Sequence, residues 1–410
     1  MALTHFVNAK LFDGITPELQ EGAEVLVEGE RIKEVSGKPI RAAGARRIDV
    51  GGRTLMPGLI DAHFHAVAAD SNIAKLETMP RSLIAQYSRR FLEAALQRGF
   101  TSVRDAGGAD YGLAQAVNIG FIDGPRLFYC GKALTQTGGH GDARSYEQPL
   151  PCSCCQGSAA ISQVADGVDE VRRAARDELR KGASQIKIMA SGGVASPSDP
   201  IWNLQYSEEE IRAVVWEAHS WRAYVMAHAY TPEAIRRCVS YGVRSIEHAN
   251  LIDAETARFV AEKGAFVVPT LVTYDALDKF GRQQGFPEVS MQKLEVVRAA
   301  GLKSLDHLKA AGVRMGFGTD LLAEMHEHQS REFSIRAEAL PPVEILLSAT
   351  SVNAELLQRK GELGVIAAGA LADLIVVDGN PLQKIALLED QGRHLPVIVK
   401  GGKIYKNTLK

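Results

Sequence analysis

Between residues 57 and 360, apolar strand-like segments alternate with segments of helical periodicity, and this alternation restricts the possible fold more than any other feature. The predicted strands are Leu55–Asp61, Thr101–Asp105, Arg126–Cys130, Gln185–Met189, Ala223–His228, Ser245–His248, Ala265–Thr270 and Arg314–Asp320. Intervening segments such as 207–221 and 253–263 have the 3.6-residue period of amphipathic helices. Eight strand–helix units predict an α/β fold, a (β/α)8 TIM barrel.

The two chain ends contain short strand-like segments instead. Val25–Val35 indicates two strands around a turn, and Ala372–Asp378 and Pro396–Tyr405 have the same character. Neither end has enough strands or apolar residues for a core of its own. We therefore expect a small β-sandwich domain formed from residues 1–56 plus 361–410, and a barrel domain of residues 57–360.

Polar residues stand at the carboxyl ends of the predicted strands, where barrel enzymes carry their chemistry. His63 and His65 are two residues apart on a strand, so their imidazoles point the same way, as two ligands of one metal ion require. The corresponding positions of later strands hold Lys187, His228, His248 and Asp320. Taken singly, each histidine fits a hydrogen-bonded core residue, and Asp320 fits a helix N-cap. Six such residues at matching strand ends favour a metal centre.

Lys187 is the unusual member of this set, because its segment should be buried on both faces, where an unpaired lysine is almost never found. A buried lysine can lose its charge. If its amine then adds carbon dioxide, the resulting carbamate is an anionic bridge for two metal ions roughly 3.5–4 Å apart. The prediction of two metal ions rests on this step.

These residues resemble the metal-dependent amidohydrolase superfamily over nearly the whole chain. The resemblance rests on Pro57–His65, His228, His248, Thr319–Asp320 and Gly364–Val376. It implies that His63, His65 and Asp320 hold one metal ion, that His228 and His248 hold the other, and that carboxylated Lys187 bridges both. Zinc is the default for such nitrogen and oxygen ligands, although manganese and iron also fit.

Within that superfamily the chain is most similar to the prolidase-like group, which removes the C-terminal residue from dipeptides and N-acyl amino acids. The matching segments are Val103–Gly108, Thr137–Gly141, Lys187–Gly193, His228–Tyr230 and Ser245–His248. Related amidases for bulkier aromatic amides carry nearly the same set. The resemblance thus implies a small-molecule substrate with a scissile amide bond.

The expected mechanism uses divalent ions to lower the pKa of an attacking water, while Asp320 moves its proton to the leaving nitrogen. His140 and Tyr230 are the candidates for binding the substrate's carboxylate or carbonyl oxygen. A pocket for arginine or lysine would need a carboxylate, for which Asp275 and Asp278 are candidates. Proline or a neutral apolar residue is the preferred leaving group. His326, His328 and Glu332 follow the eighth strand and receive no role.

Composition excludes several other classes of function. A net charge of -2 gives no reason to expect nucleic acid or an acidic membrane as a partner. No window has the roughly 18 apolar residues of a membrane span, and the first residues lack the features of a signal peptide, so a cytoplasmic location is expected. A homo-oligomer is expected as well. The long segment 135–165 is expected to lie over the barrel mouth. It contains Cys152, Cys154 and Cys155 close together. Reduced thiols are favoured over a metal cluster for these cysteines.

Two alternatives stay open at this point. The first is a cyclic-amide hydrolase or deaminase of the same superfamily, such as an imidazolonepropionase-like enzyme. Deaminase-type sites generally use one metal ion and no bridging lysine, so Lys187 argues against this class. The second is a non-catalytic scaffold derived from a hydrolase, and the complete ligand set argues against it.

Overall fold

The computed structural model describes residues 2–144, 161–196 and 198–409. Its strands, in chain order, are β1 (Leu3–Leu11), β2 (Gln20–Glu28), β3 (Arg31–Ser36), β4 (Arg46–Asp49), β5 (Thr54–Pro57), β6 (Leu59–Phe64), β7 (Phe100–Asp105), β8 (Arg126–Phe128), β9 (Ala133–Thr135), β10 (Ser162–Val164), β11 (Gln185–Met189), β12 (Tyr224–Ala229), β13 (Ser245–His248), β14 (Phe266–Val268), β15 (Arg314–Met315), β16 (Leu374–Val377), β17 (Val397–Lys400) and β18 (Lys403–Asn407).

The α-helices lie mainly between the central strands. They are α1 (Ile73–Leu76), α2 (Arg81–Gln97), α3 (Tyr111–Asn118), α4 (Gly167–Arg180), α5 (Glu208–Ser220), α6 (Pro232–Ser240), α7 (Ala254–Lys263), α8 (Leu271–Phe280), α9 (Glu288–Ala310), α10 (Arg331–Arg336), α11 (Pro342–Leu347) and α12 (Asn353–Leu356). Local sequence explains several helix starts: Ser207 and Glu210 form a capping box at α5, and Thr231 caps α6 ahead of Pro232.

Two parallel sheets build the central part of the chain. A seven-stranded sheet has the order β10-β9-β11-β12-β13-β14-β15, and a three-stranded sheet has the order β6-β7-β8. Backbone hydrogen bonds connect them, because Ser184 N donates to Tyr129 O at 2.9 Å and Ala62 N donates to Phe317 O at 2.8 Å. The α/β class with parallel sheets is confirmed. A continuous ladder is not found within the described residues, so closure into a barrel stays a prediction.

Strands from both chain ends share one eight-stranded sheet of order β18-β17-β16-β5-β1-β2-β3, with β4 beside β1. The junction is the antiparallel pair of β5 and β16, where Leu55 lies opposite Val376. Apolar side chains from both ends, including Phe6, Val25 and Val399, pack into one buried cluster. The ends therefore complete a common core. The sandwich arrangement and the domain boundaries stay predictions.

The structure divides the predicted first barrel strand, Leu55–Asp61, at Gly58. The residues before it belong to β5 in the terminal sheet, and those after it to β6 in the three-stranded sheet. Gly58 N donates to Asp373 O at 2.8 Å, and a Cβ at this position would lie 2.2 Å from Thr101 Oγ1. Only glycine lets the chain pass this closely from one sheet to the other.

The strands that carry the candidate site are buried along their whole length, namely β6, β7, β11, β12 and β13. Strands buried on both faces place polar side chains in low-dielectric surroundings, where each one needs a partner. Among the helices in the described part of the chain, none combines the length and the apolar character needed to cross a bilayer.

Candidate active site

The six residues predicted at the strand ends all line one cavity of about 280 Å³: His63, His65, Lys187, His228, His248 and Asp320. They come from β6, β11, β12, β13 and the segments that follow β6 and β15. The first five are buried, and the side chain of Asp320 is 21% exposed. Parallel strands therefore bring these residues together at one edge of the sheets.

Three of these residues form a compact group of donor atoms. One ligand atom from each of His63, His65 and Asp320 lies within 4.8 Å of the other two. Asp320 Oδ1 is 3.3 Å from His63 Nε2 and 3.0 Å from His65 Nε2. Burial opposes ionisation of Asp320, but His63 and His65 outweigh it and hold the pKa of the carboxyl well below its usual value. These residues present an anionic oxygen and two nitrogens to one point.

The backbone at two of the positions is strained. His248 has φ 74 and Asp320 has φ 54, in the left-handed region that non-glycine residues seldom adopt. The Asp320 N–H donates to His63 O at 2.8 Å, which holds this segment against the end of β6. Such strain costs about 1–3 kcal/mol per residue and clusters at functional sites.

The second group consists of His228, His248 and Lys187. The His228 and His248 ring centroids are 4.6 Å apart, and His248 lies 4.9 Å from His63. Burial lowers the pKa of both His228 and His248 well below the usual value, so both rings are neutral near neutral pH. A neutral imidazole has the free lone pair that a metal ligand needs.

Lys187 lies in β11 among groups of both charges. Burial lowers the pKa of its ammonium group. The negative charges of Glu247 and Asp320 act in the opposite direction, but burial has the larger effect. Within the described residues, no hydrogen bond or ion pair of the Lys187 amine is found. A buried amine without a partner is the condition that favours its neutral form, and only the neutral amine adds carbon dioxide.

The donor atoms fit a metal centre. His63 Nδ1 lies 2.7 Å from Glu247 Oε2, and His248 Nδ1 lies 2.8 Å from Thr270 Oγ1. With Nδ1 engaged by these partners, Nε2 of each ring is left for a metal ion, which is the usual arrangement for metal-binding histidines. Imidazole nitrogens with a carboxylate oxygen suit zinc and similar divalent ions.

Sequence reasoning missed the buried ion pair behind His63. Arg104 Nη2 lies 2.9 Å from both carboxylate oxygens of Glu247, and both side chains are fully buried. Burial alone would raise the pKa of Glu247, but Arg104 and His63 lower it to about 2. Both residues sit in segments quoted for the family resemblance, yet a charge inside a buried strand does not reveal its partner. The pair fixes the orientation of His63.

Glu247→Gln should weaken metal binding by about ten- to a hundredfold, the usual effect of removing a hydrogen-bond partner behind a metal ligand. The neutral amide no longer balances the positive charge of Arg104, and it accepts a weaker hydrogen bond from His63 Nδ1 than the carboxylate does. Metal affinity measured against a competing chelator tests this, with exposed Glu255→Gln as the control. A melting curve measures the accompanying instability, since leaving Arg104 unpaired costs about 3–5 kcal/mol. Unchanged affinity in Glu247→Gln would contradict the orienting role.

His140 and Tyr230, the predicted substrate-binding residues, line the same cavity. The His140 ring stacks on His228 at 4.3 Å between centroids, and its Nδ1 lies 2.7 Å from Ser196 Oγ. The Tyr230 hydroxyl accepts a hydrogen bond from the Tyr274 hydroxyl at 3.0 Å. Because its oxygen accepts the Tyr274 hydrogen bond, Tyr230 keeps its own proton free to donate.

Other candidates from the sequence lie elsewhere. Asp275 pairs with Lys279 and Arg331, each at 2.8 Å, and Asp278 pairs with Arg298 at 3.4 Å; neither aspartate lines the cavity. The structure therefore does not support the prediction that Asp275 or Asp278 supplies a carboxylate to a pocket for a basic side chain. His326 and Glu332 are buried, and Glu332 pairs with Arg336 at 2.6 Å. Cys152, Cys154 and Cys155 lie outside the described residues.

Comparison with known proteins identifies the family of the chain. The sequence pattern of the Amidohydrolase family matches residues 54–404. The chain belongs to the amidohydrolase family. It is 34% identical to an ochratoxinase of Aspergillus niger over 370 residues, which cover 86% of this chain and 75% of the ochratoxinase. The resemblance inferred from the sequence is confirmed.

Solved structures of amidohydrolases are similar to this chain over its whole length. A prolidase complexed with N-methylphosphonate-L-proline is 53% identical, with a TM-score of 0.97 and coverage of 99% of this chain and 100% of the prolidase. A Xaa-Pro dipeptidase with bound methionine is 30% identical, with a TM-score of 0.89 and coverage of 99% and 100%. This amidohydrolase is therefore an enzyme of amide hydrolysis.

Proposed function

We propose that this amidohydrolase is a binuclear metal-dependent hydrolase that cleaves the C-terminal amide bond of dipeptides or N-acyl amino acids. The observation that carries the proposal is the single cavity that holds the six strand-end residues together with His140 and Tyr230. Similarity to a prolidase with a proline-containing ligand supports the same class of substrate. The proposal includes closure of the two parallel sheets into a (β/α)8 barrel around this cavity.

In this proposal His63, His65 and Asp320 would hold one metal ion, His228 and His248 would hold the other, and Lys187 as a carbamate would serve as a ligand to both. Zinc is the expected metal. Divalent ions supply Lewis acidity, which polarises a carbonyl and lowers the pKa of water towards neutrality. The neutral rings of His228 and His248 support the assignment, and so does the unpartnered amine of Lys187.

Asp320 is the proposed acid–base residue. The neighbouring His63 and His65 hold the pKa of Asp320 low, so its carboxylate is ionised. In this proposal the ionised Asp320 would take a proton from the attacking water and pass it to the leaving nitrogen. All six strand-end residues line the cavity, and the side chain of Asp320 is 21% exposed whereas the other five residues are buried. No covalent acyl-enzyme is required in this scheme.

The walls of the cavity favour a neutral substrate side chain. Among the described residues that line the cavity, the only lysine, arginine, aspartate or glutamate residues are Lys187 and Asp320. Apolar side chains such as Ile161, Leu277 and Phe286 supply much of the remaining surface. An arginine or lysine side chain would lose its hydration here without gaining a carboxylate partner. Proline and other neutral apolar residues are therefore the proposed leaving groups.

Release of a free amino acid from a panel of dipeptides and N-acyl amino acids tests this function. The panel should include proline, methionine, phenylalanine and arginine as C-terminal residues, and imidazolonepropionate as a substrate of the alternative class. We expect turnover of neutral C-terminal residues and little turnover with arginine. Exclusive hydrolysis of imidazolonepropionate would contradict the proposal and favour the cyclic-amide alternative.

Tyr230→Phe should lower kcat/KM roughly ten- to a hundredfold for substrates with a free C-terminal carboxylate. The reason is that losing a hydrogen bond to a charged group costs about 1.5–3 kcal/mol. Substrates with an amidated C-terminus should lose much less, and metal content should stay the same. Equal losses on both substrate types would mean that the carboxylate is recognised by other groups.

A further inference from the structure

The loop that follows β11 contacts both predicted substrate-binding residues. Ser196 Oγ engages His140 Nδ1 at 2.7 Å, and Ser191 Oγ accepts a hydrogen bond from the Tyr230 backbone N–H at 3.3 Å. At Gly193 the backbone packs flat against the His140 ring, since a Cβ there would lie 2.0 Å from its Cε1. The position of this loop therefore determines where His140 stands between Gly193 and the stacked ring of His228.

One lysine from a distant helix holds this loop. Lys293 in α9 donates through its Nζ to three backbone carbonyls, those of Gly193 at 3.0 Å, Ser196 at 2.7 Å and Asp199 at 2.5 Å. An ammonium has three N–H donors, so its capacity is matched by three acceptors spaced three residues apart. These bonds connect Gly193, Ser196 and Asp199 to α9.

The surroundings of Lys293 distinguish it from a surface lysine. Its side chain is half-buried, and no carboxylate forms an ion pair with it among the described residues. Asp199 instead accepts from the Gly193 N–H at 3.1 Å and from Gln205 Nε2 at 3.0 Å. Lys293 thus gives up part of its hydration for hydrogen bonds to three backbone carbonyls, and hydrogen bonds from a charged donor are the stronger kind.

We propose that Lys293 is a positioning residue that acts through the loop after β11 to fix His140 and Tyr230 for substrate binding. It touches neither the substrate nor the reacting atoms. Fixing the loop before the substrate arrives removes an ordering cost from binding and from the transition state. The kinetic part of this inference rests on the proposed function, whereas the anchoring of the loop does not.

Hydrogen exchange tests the anchoring without any substrate. In Lys293→Met, amides of the loop should exchange at least about tenfold faster, because the loop opens locally once its carbonyls lose the ammonium. Amides of α9 away from residue 293 should be unchanged. Lys303→Met is the matched control, since Lys303 lies on the same helix and is exposed. Wild-type exchange of the loop in Lys293→Met would overturn the proposal.

Mutant-cycle kinetics test the coupling to His140 and Tyr230. Lys293→Met should lower kcat/KM about ten- to a hundredfold at unchanged metal content, but should cost less than about twofold in a background that carries both His140→Ala and Tyr230→Phe. Ser196→Ala removes the hydroxyl that contacts His140 but keeps the three hydrogen bonds from Lys293 to backbone carbonyls. Its effect on kcat/KM should show the same dependence on His140. If Lys293→Met loses the same factor in both backgrounds, its role is general stability and the proposal fails. A wild type inactive on every dipeptide and every N-acyl amino acid would contradict the proposed function, and the exchange experiment would still decide the anchoring.

Discussion

Lys187→Ala should lose most of the bound metal and lower kcat/KM by at least about a hundredfold. Removing a residue that only orients a metal ligand typically lowers metal affinity or activity about ten- to a hundredfold. Removing a bridging ligand should lower them by more than the upper end of that range. In this account the carbamate of Lys187 neutralises the mutual repulsion of two cations, and alanine offers no donor in its place. Metal per chain and kcat/KM should be measured on the same preparation.

The control for Lys187→Ala is the exposed lysine variant Lys303→Ala, which should keep both metal and activity. Short carboxylic acids added to Lys187→Ala should restore part of both, since a small carboxylate can occupy the space of the missing carbamate. Near-normal turnover of Lys187→Ala with two metal ions per chain would rule out the bridging assignment.

Asp320→Asn should keep substantial metal but lose turnover by roughly a hundredfold or more, the scale expected when a general acid–base is removed. The amide oxygen still offers a weak ligand beside His63 and His65, but it cannot accept the proton of the attacking water. Metal content measured alongside kcat separates these two roles.

Asp278→Asn provides the comparison for Asp320→Asn, because Asp278 lies outside the cavity in an exposed ion pair with Arg298. This variant should behave as wild type. Full activity in Asp320→Asn would exclude the proton-transfer role, whereas loss of all metal would show that Asp320 acts mainly as a ligand.

The positions of the site residues followed from sequence because parallel strands impose a simple geometry. The carboxyl ends of neighbouring parallel strands meet at one edge, so residues as distant in sequence as His63 and Asp320 were expected together. Burial could also be anticipated, since the run around Lys187 contains apolar residues on both faces. Regular strand geometry was sufficient for these inferences.

What the sequence could not predict depends on contacts between distant side chains. In the sequence, Glu247 cannot be distinguished from other polar residues in strands, because its partner Arg104 lies 143 positions away. Lys293 belongs to a helix whose pattern gives no sign that its ammonium reaches three carbonyls near the site. The division at Gly58 depends similarly on the close approach of Thr101. Only tertiary packing decides such features.

The proportion of metal to protein at full activity is the most direct test of the central claim, a two-metal site bridged by Lys187. Metal-free protein should be titrated with zinc, with and without bicarbonate, while hydrolysis of one N-acyl amino acid is followed. We expect activity to saturate at two ions per chain and to require bicarbonate. Full activity at one ion per chain, or activity independent of bicarbonate in carbon dioxide-free buffer, would contradict the account.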